Sequence, residues 1–329
     1  MKLLYIPNEY SQQRQHEKKA NIYPVLMAME AEYNRKKGHN VTWDENLYYD
    51  FDKFDKIITK PEGLSFLDLP APDRVWTRAK EYTSGNYKYL PGTHIMAASG
   101  CWHGKCKFCV EKGIKYEARP VDNVIEEIKE CKALGFKEVF DDSGTFPVGQ
   151  WLSKFCTKLV PISSGLKFSC NMRMVDVDYS LMYRAGFRMV LFGLESANQK
   201  TLDKINKGVN KDAYKYVIQA SKAGLEPHIA GMIGYPWETL EDTMRTIDLF
   251  KYLLIKGYAK TAQMSFYTPP KFQQQGNEEF RKYVNKFYEV GFNLEFWYNK
   301  IKDINSLTDL DYLRRSINIG LKGLLKRRK

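Results

Sequence analysis

The chain has 329 residues, 43% of them hydrophobic, and a formal charge of +12. That is enough apolar material for one large domain or two. No apolar run approaches a membrane span, and none is expected. The positive surplus suits an anionic partner such as RNA, an acidic peptide or a phosphorylated metabolite, but does not choose among them. The N-terminus offers only Leu3-Leu4-Tyr5-Ile6 before turning polar, so no secretory signal is expected and the cytoplasm is the expected compartment.

Residues 1–70 read as a small Rossmann-like α/β domain. Lys2 to Ile6 predicts a strand, and Pro24 to Lys37 a helix closed by Gly38, with Val25, Met29 and Tyr33 on one face. Val41 to Trp43 and Lys56 to Thr59 supply two more short strands. Residues 71–92 form a linker marked by Pro72, Gly85, Pro91 and Gly92, and its Trp76, Tyr82, Tyr87 and Tyr89 predict that it packs over something. Thr93 to Ala98 then predicts a strand running directly into a loop, Ser99 to Cys109.

That loop carries Cys101, Cys106 and Cys109, three of the six cysteines. Such crowding is a ligand spacing, and thiolates so placed suit a soft metal or an iron–sulfur cluster. Gly100 and Gly104 let the backbone curl so that three sulfurs face one centre. Lys105 and Lys107 add charge that favours the thiolates. A structural zinc site wants four protein ligands, and no second C-x-x-C pair follows. The C-x4-C-x2-C spacing also opens the plant-type ferredoxin motif for a two-iron cluster.

Beyond the loop, strands and helices alternate. Helices are expected over Asp122 to Leu134, Trp151 to Leu159, Asp212 to Ala223 and Thr239 to Leu254, the last opened by a T-x-x-D capping pattern. Strands are expected at Glu138 to Phe140, Leu166 to Arg173, Arg188 to Phe192, Pro227 to Ile233 and Thr261 to Tyr267, ahead of Thr268-Pro-Pro270. The strand before the cysteine loop makes six, which predicts a partial (β/α)6 barrel of TIM type over residues 93–274. The polar motifs fall after strands, where such barrels place their chemistry. Residues 275–329 read as a basic helical extension with a solvated or frayed end.

In this order the motifs resemble the cobalamin-type branch of the radical S-adenosylmethionine (SAM) superfamily. That family's cysteine signature is C-x3-C-x2-C with an aromatic before the third cysteine, as Phe108 stands here. Asp141-Asp-Ser143, Asn171-Met-Arg173, Phe192-Gly-Leu-Glu-Ser196 with Leu202 to Gly208, and Ile233 to Thr239 are similar to its later motifs. Together they cover roughly residues 93–270. The run Ile22-Tyr-Pro with Gly38-His-Asn-Val41 resembles the start of the cobalamin-binding domain that precedes many such cores, but the D-x-H-x-x-G motif is absent.

The resemblance implies a 4Fe–4S cluster on Cys101, Cys106 and Cys109, SAM on its open iron, and an external electron donor. It implies reductive cleavage of SAM to a 5′-deoxyadenosyl radical that abstracts hydrogen from a substrate. It places Phe108 against adenine, Asp142 and Ser143 at the SAM amino group and Arg173 at its carboxylate. Glu195 and Ser196 fall to the ribose or methionyl group, and Gly234 and Pro236 to the turn beside the adenosyl group. The expectation is an enzyme working without cobalamin. Its alternatives are a cobalamin-dependent methyltransferase and, from another class, an electron carrier or a non-catalytic relic. Cys131, Cys156 and Cys170 are expected to be packing residues, and His103 and His228 structural.

Overall fold

The computed structural model describes residues 1–6, 23–43, 51–268, 276 and 278–327, with 51 and 318–327 as backbone. Ile22 and Pro269-Pro270 of the sequence motifs lie outside the described residues.

The first unit is a parallel layer built from β1 (Lys2–Tyr5), α1 (Val25–Lys36), β2 (Asn40–Trp43) and β3 (Lys56–Ile58), in the order β2–β1–β3. Central β1 is the buried strand, with Leu3, Leu4 and Tyr5 all inside. Pro24 precedes α1, where a missing N–H costs nothing, and Arg35 and Lys36 close it against the helix dipole. Val25 and Met29 are buried as the spacing predicts and Tyr33 is half-buried. Met27, Ala28 and Ala31 are buried too, so α1 is covered around more than one stripe.

The linker is clamped on both sides. Trp76 packs against Trp43 of β2, and the Arg35 guanidinium sits 4.4 Å from its ring centre. On the other side, buried Arg74 donates to His94 O at 2.9 Å and pairs with the Glu127 carboxylate, which Arg119 also holds.

Next come β4 (Gly92–Ile95), β5 (Ala98–Ser99), β6 (Glu117–Ala118), α2 (Val121–Ala133), β7 (Glu138–Asp141), α3 (Gln150–Leu159), β8 (Lys167–Met172) and α4 (Tyr179–Arg184). They continue with β9 (Phe187–Glu195), α5 (Gln199–Lys204), α6 (Lys215–Lys222), β10 (Glu226–Ile233), α7 (Leu240–Ile255) and β11 (Thr261–Phe266). Six strands pair in chain order, β4–β7–β8–β9–β10–β11, all parallel. Parallel neighbours need a crossover, and helices supply it, so their apolar faces bury one side of the sheet. Phe146, Phe155, Phe168 and Phe187 form the centre of that core, with Phe168 and Phe187 edge to face at 4.7 Å. β4 and β11 are the edges of this sheet, so the barrel is partial and open between them.

The expected strand Thr93 to Ala98 divides. β4 stops at Ile95 because the next amides are taken by side chains: Ala97 N donates to Asp141 Oδ2 at 2.7 Å and Ala98 N to Ser143 Oγ at 2.8 Å. Ala98–Ser99 then pairs antiparallel with Glu117–Ala118, making a base for the cysteine loop.

After β11 come α8 (Arg281–Tyr288), α9 (Leu294–Ile301) and α10 (Leu307–Arg327). The start of α10 is docked; the expectation of a solvated or frayed end concerns residues 321–329, whose side chains lie outside the described residues. Arg315 donates to Tyr87 O and Lys88 O at 2.9 and 3.1 Å, and Lys88 bridges Asp309 and Glu226 at 2.6 and 2.7 Å. Buried Arg188 joins Glu138 and Glu226 at 2.6 and 2.7 Å. These charges gather at the N-terminal ends of the strands, away from the cysteine loop. No helix among the described residues is long and apolar enough to cross a membrane.

Candidate functional site

The cysteine loop stands at the C-terminal ends of the strands, and its shape depends on two glycines. Gly100 has φ +67°, and a Cβ there would lie 2.7 Å from Lys115 O. Gly104 has φ +55°, and its carbonyl accepts from Gly113 N at 3.4 Å. All three cysteines are free thiols, with Cys106 buried and Cys101 and Cys109 half-buried.

A second segment fastens this loop: the turn after α5, residues 205–208. Lys107 N donates to Ile205 O at 2.9 Å. His103 Nε2 lies 2.8 Å from Asn206 O, and since a carbonyl only accepts, Nε2 carries the proton. His103 therefore anchors the loop, a structural role whose partner the sequence did not indicate. The Arg173 guanidinium donates to Lys207 O through Nη2 and reaches within 4.0 Å of Cys106 Sγ through Nη1.

From the same turn the Lys207 side chain enters the site and meets Glu195, Nζ to Oε1 2.8 Å, with both side chains only 9% exposed. Glu195 holds φ +61°, rare for a residue with a side chain. Lys207 is the residue that sequence reasoning left without a role. It sat inside a quoted motif, and its signal was a lysine twelve positions beyond a motif glutamate. The charge balance at the thiols differs from expectation for the same reason. Burial pushes the Cys106 thiol above its ordinary value, and the cations pulling it back are Lys207 and Arg173. Lys105 and Lys107 are exposed and are not among the main charges acting on Cys106.

Beside the pair lies the turn after β10. Gly234 N and Tyr235 N donate to Glu238 Oε2 at 3.0 and 3.3 Å, and Thr201 Oγ1 donates to Oε1 at 3.2 Å. Gly234 holds φ +85°, and a Cβ there would strike the Phe266 ring at 2.3 Å. The turn stacks Tyr235 on Trp237, 5.3 Å and 16° apart, with half-buried Pro236 between them in the chain. Phe108, Trp237, Tyr267 and Ile205, with Lys107 and Lys204, line a cavity of about 300 Å³.

The structure thus brings Cys106, Phe108, Arg173, Glu195 and Lys207 together with the Gly234 turn. Ser143 and Ser196 are committed elsewhere. Ser143 holds Ala98 N, and Ser196 Oγ lies in a buried network with Asn198 and Thr246. Half-buried Asp142 follows Asp141, and its amide donates to Ile95 O at 2.8 Å. His228 lies at the other end of its strand, with Nδ1 2.8 Å from Thr261 Oγ1. Cys131, Cys156 and Cys170 lie in the main apolar core.

Among the described residues, no three or more His, Cys, Asp or Glu side chains converge as one metal ion requires. Three thiols on one loop instead suit a multi-iron cluster, which spreads its ligands over several metals. Two buried polar atoms at the site without hydrogen-bond partners, Arg173 Nε and Tyr235 Oη, fit a bound polar group. Burial holds the Tyr235 phenol well above its ordinary range, and Glu195 and Cys106 are near enough to raise it further.

Residues 95–250 match the family model of the Radical SAM superfamily. A provisionally named methylthiotransferase of Methanocaldococcus jannaschii is 30% identical over 173 residues, covering 47% of this chain and 38% of that one. An uncharacterized methyltransferase of Pyrococcus horikoshii is 28% identical, covering 55% and 40%. A tRNA-2-methylthio-N(6)-dimethylallyladenosine synthase of Thermotoga petrophila is 22% identical, covering 65% and 51%. The chain thus spans from 38% to 51% of the length of these curated relatives. Among solved structures, TsrM of Kitasatospora setae, a radical SAM methyltransferase, aligns with a TM-score of 0.47 at 22% identity, covering 53% of this chain and 34% of that one.

Proposed function

We propose, on the premise that this chain belongs to the radical SAM superfamily through residues 95–250, that its barrel mouth cleaves SAM without the help of cobalamin. Superfamily membership makes it an enzyme and implies a 4Fe–4S cluster and SAM. When bound, the cluster supplies one electron that breaks a C–S bond of SAM, leaving methionine and a carbon radical that takes hydrogen from the substrate. The protein binds, orients and excludes water.

The observation that carries the reading is the cysteine loop fastened over a buried cationic site. Cys101, Cys106 and Cys109 are assigned as cluster ligands. The ring-lined cavity of about 300 Å³ beside Phe108 fits an adenosyl group, with Trp237 in its lining and Gly234 and Pro236 shaping the turn that carries Trp237. Arg173 and Lys207 supply positive charge for the methionyl carboxylate, by charge-assisted hydrogen bonds. Glu195 holds the Lys207 ammonium and offers its second oxygen to the methionyl amine or ribose. Half-buried Asp142, next to Ser143 in the chain, is a second acceptor for the amine.

We divide the chain into an N-terminal domain (1–70), a linker (71–92), the core (93–274) and an extension (275–329). Absence of the D-x-H-x-x-G motif supports chemistry without cobalamin. The parallel β2–β1–β3 layer favours, as a second reading, a cobalamin-dependent methyltransferase. The surplus of +12 suits an anionic substrate, RNA among them.

Anaerobic reconstitution with iron and sulfide, with and without added cobalamin, tests these readings. The expected result is 5′-deoxyadenosine formed by cobalamin-free protein carrying about four irons per chain. Stoichiometric retention of cobalamin would establish the second reading instead. Iron without any SAM cleavage under strong reductant would mark an electron carrier or relic.

A further inference from the structure

In the C-terminal extension, α9 presents an apolar stripe that the rest of the described chain leaves bare. None of its eight residues is buried, yet the helix is firmly anchored. Its Asn293 cap accepts from Phe296 N at 2.9 Å, and on its inner side Asn299 Nδ2 donates to Ile255 O at 2.6 Å. Half-buried Phe296 packs against the main apolar core. The outer side carries Leu294, Tyr298 and Ile301, which are 85%, 68% and 59% exposed. Steps of four and three residues align them on one face. Single exposed apolar residues need no explanation. Three in register on one anchored helix make a surface that a partner can cover.

The stripe is self-complementary. At about 3.6 residues per turn, Leu294 and Ile301 lie to one side of Tyr298, and Glu295 and Lys302 to the other. A second α9, turned end for end about Tyr298, would set its Ile301 against Leu294 and its Lys302 against Glu295. The two Tyr298 rings would meet at the centre. Both charges are exposed and placed to take part. Glu295 Oε1 accepts from Lys256 Nζ at 2.8 Å in a half-exposed pair, which leaves Oε2 open. Lys302 lies over its own Tyr298 ring, 5.8 Å from the centre.

We infer that α9 is the contact face of a two-fold dimer, in which a second copy of this chain packs antiparallel against it. Such a contact is isologous: the Leu294–Ile301 and Glu295–Lys302 pairs each form twice, and the assembly closes at two copies. An apolar centre with a charged margin is the composition of a protein interface. A central tyrosine is the kind of residue that carries much of its energy. The stripe is only two turns long, so association is weak, in the micromolar range. Lys300 of α9 donates to Lys260 O, just ahead of β11, so the contact lies toward the N-terminal ends of the strands. Both barrel mouths therefore stay open in the dimer.

Sedimentation equilibrium of the full chain, from about 1 to about 100 μM, is the test. Wild type should pass from monomer to dimer within that range. Tyr298→Glu places two like charges at the centre and should raise the dissociation constant about tenfold or more. Glu295→Lys and Lys302→Glu should each weaken self-association, because each sets like charges together twice. Mixed in equal amounts, these two variants should associate with each other, since the mixture restores two pairs of opposite charge. All three positions are exposed, so melting temperatures should match wild type and separate loss of the dimer from loss of the fold. Wild type that stays monomeric at about 100 μM would overturn the inference. A dimer indifferent to Tyr298→Glu would overturn it too, as would charge variants that stay apart when mixed.

Discussion

Lys207 Nζ and Glu195 Oε1 stand 2.8 Å apart in the space that a side chain at Gly193 would fill: a Cβ there would lie 2.7 Å from the ammonium and 2.6 Å from the carboxylate. The glycine of the Phe192-Gly-Leu-Glu-Ser196 motif is thus explained by a residue from a different segment. Lys207→Met strands a buried carboxylate and should cost about 3–5 kcal/mol. Adding Glu195→Gln should restore part of that, and a double-mutant cycle by denaturant unfolding measures the coupling. Gly193→Ala displaces only two flexible side-chain ends. Its melting temperature should change little while SAM affinity, measured by calorimetry, falls.

The six cysteines should divide into two groups. Cys101→Ala, Cys106→Ala and Cys109→Ala should each lose iron while leaving a folded chain, since none lies in the main apolar core. Cys131→Ala, Cys156→Ala and Cys170→Ala should keep iron and lower stability by about 1–2 kcal/mol each through lost packing. Iron and sulfide assays alongside thermal melting separate the groups.

Deleting Gly104 would restore a C-x3-C spacing, yet it should abolish iron uptake. Gly104 is not an outward bulge. Its carbonyl takes Gly113 N, and its left-handed φ makes the turn between Cys101 and Cys106. Iron retained at the wild-type level would show that the loop closes without it.

Asp141 and Glu238 are both pushed up to about 7 by burial. In an unfolded chain both titrate near about 4. Between those values the folded protein holds protons that the unfolded chain has released. Stability contributed by these groups is therefore greatest in acid, falls as pH rises from about 4 to about 7, and levels off above. Asp141→Asn and Glu238→Gln should each flatten this slope in melting temperatures taken across the window.

Arg188→Leu should be among the most destabilising single changes, by about 3–5 kcal/mol, because it leaves Glu138 buried without its cation. Iron content should be untouched, since this network lies at the strand ends remote from the cysteines. Loss of iron in a folded Arg188→Leu protein would mean that the two ends of the barrel are coupled.

Sequence alone determined the parts of this protein that local chemistry controls. Cys101, Cys106 and Cys109 stand within nine residues, so their crowding on one loop was legible without a fold. The capping box of Thr239 and Asp242 was legible because both partners lie within one helical turn. Alternating strand and helix patterns implied six parallel strands because a parallel pair requires a crossover. Tertiary structure decided what depends on segments far apart in the chain. Asp141 and Ser143 end β4 by taking amides more than forty positions away. Ser196 turns toward Thr246, and Arg173 and Lys207 supplant Lys105 and Lys107 as the cations beside Cys106. The physical reason is range. Spacing and propensity act over a few residues, whereas the direction of a buried side chain is set by whichever partner the folded chain leaves within hydrogen-bonding distance.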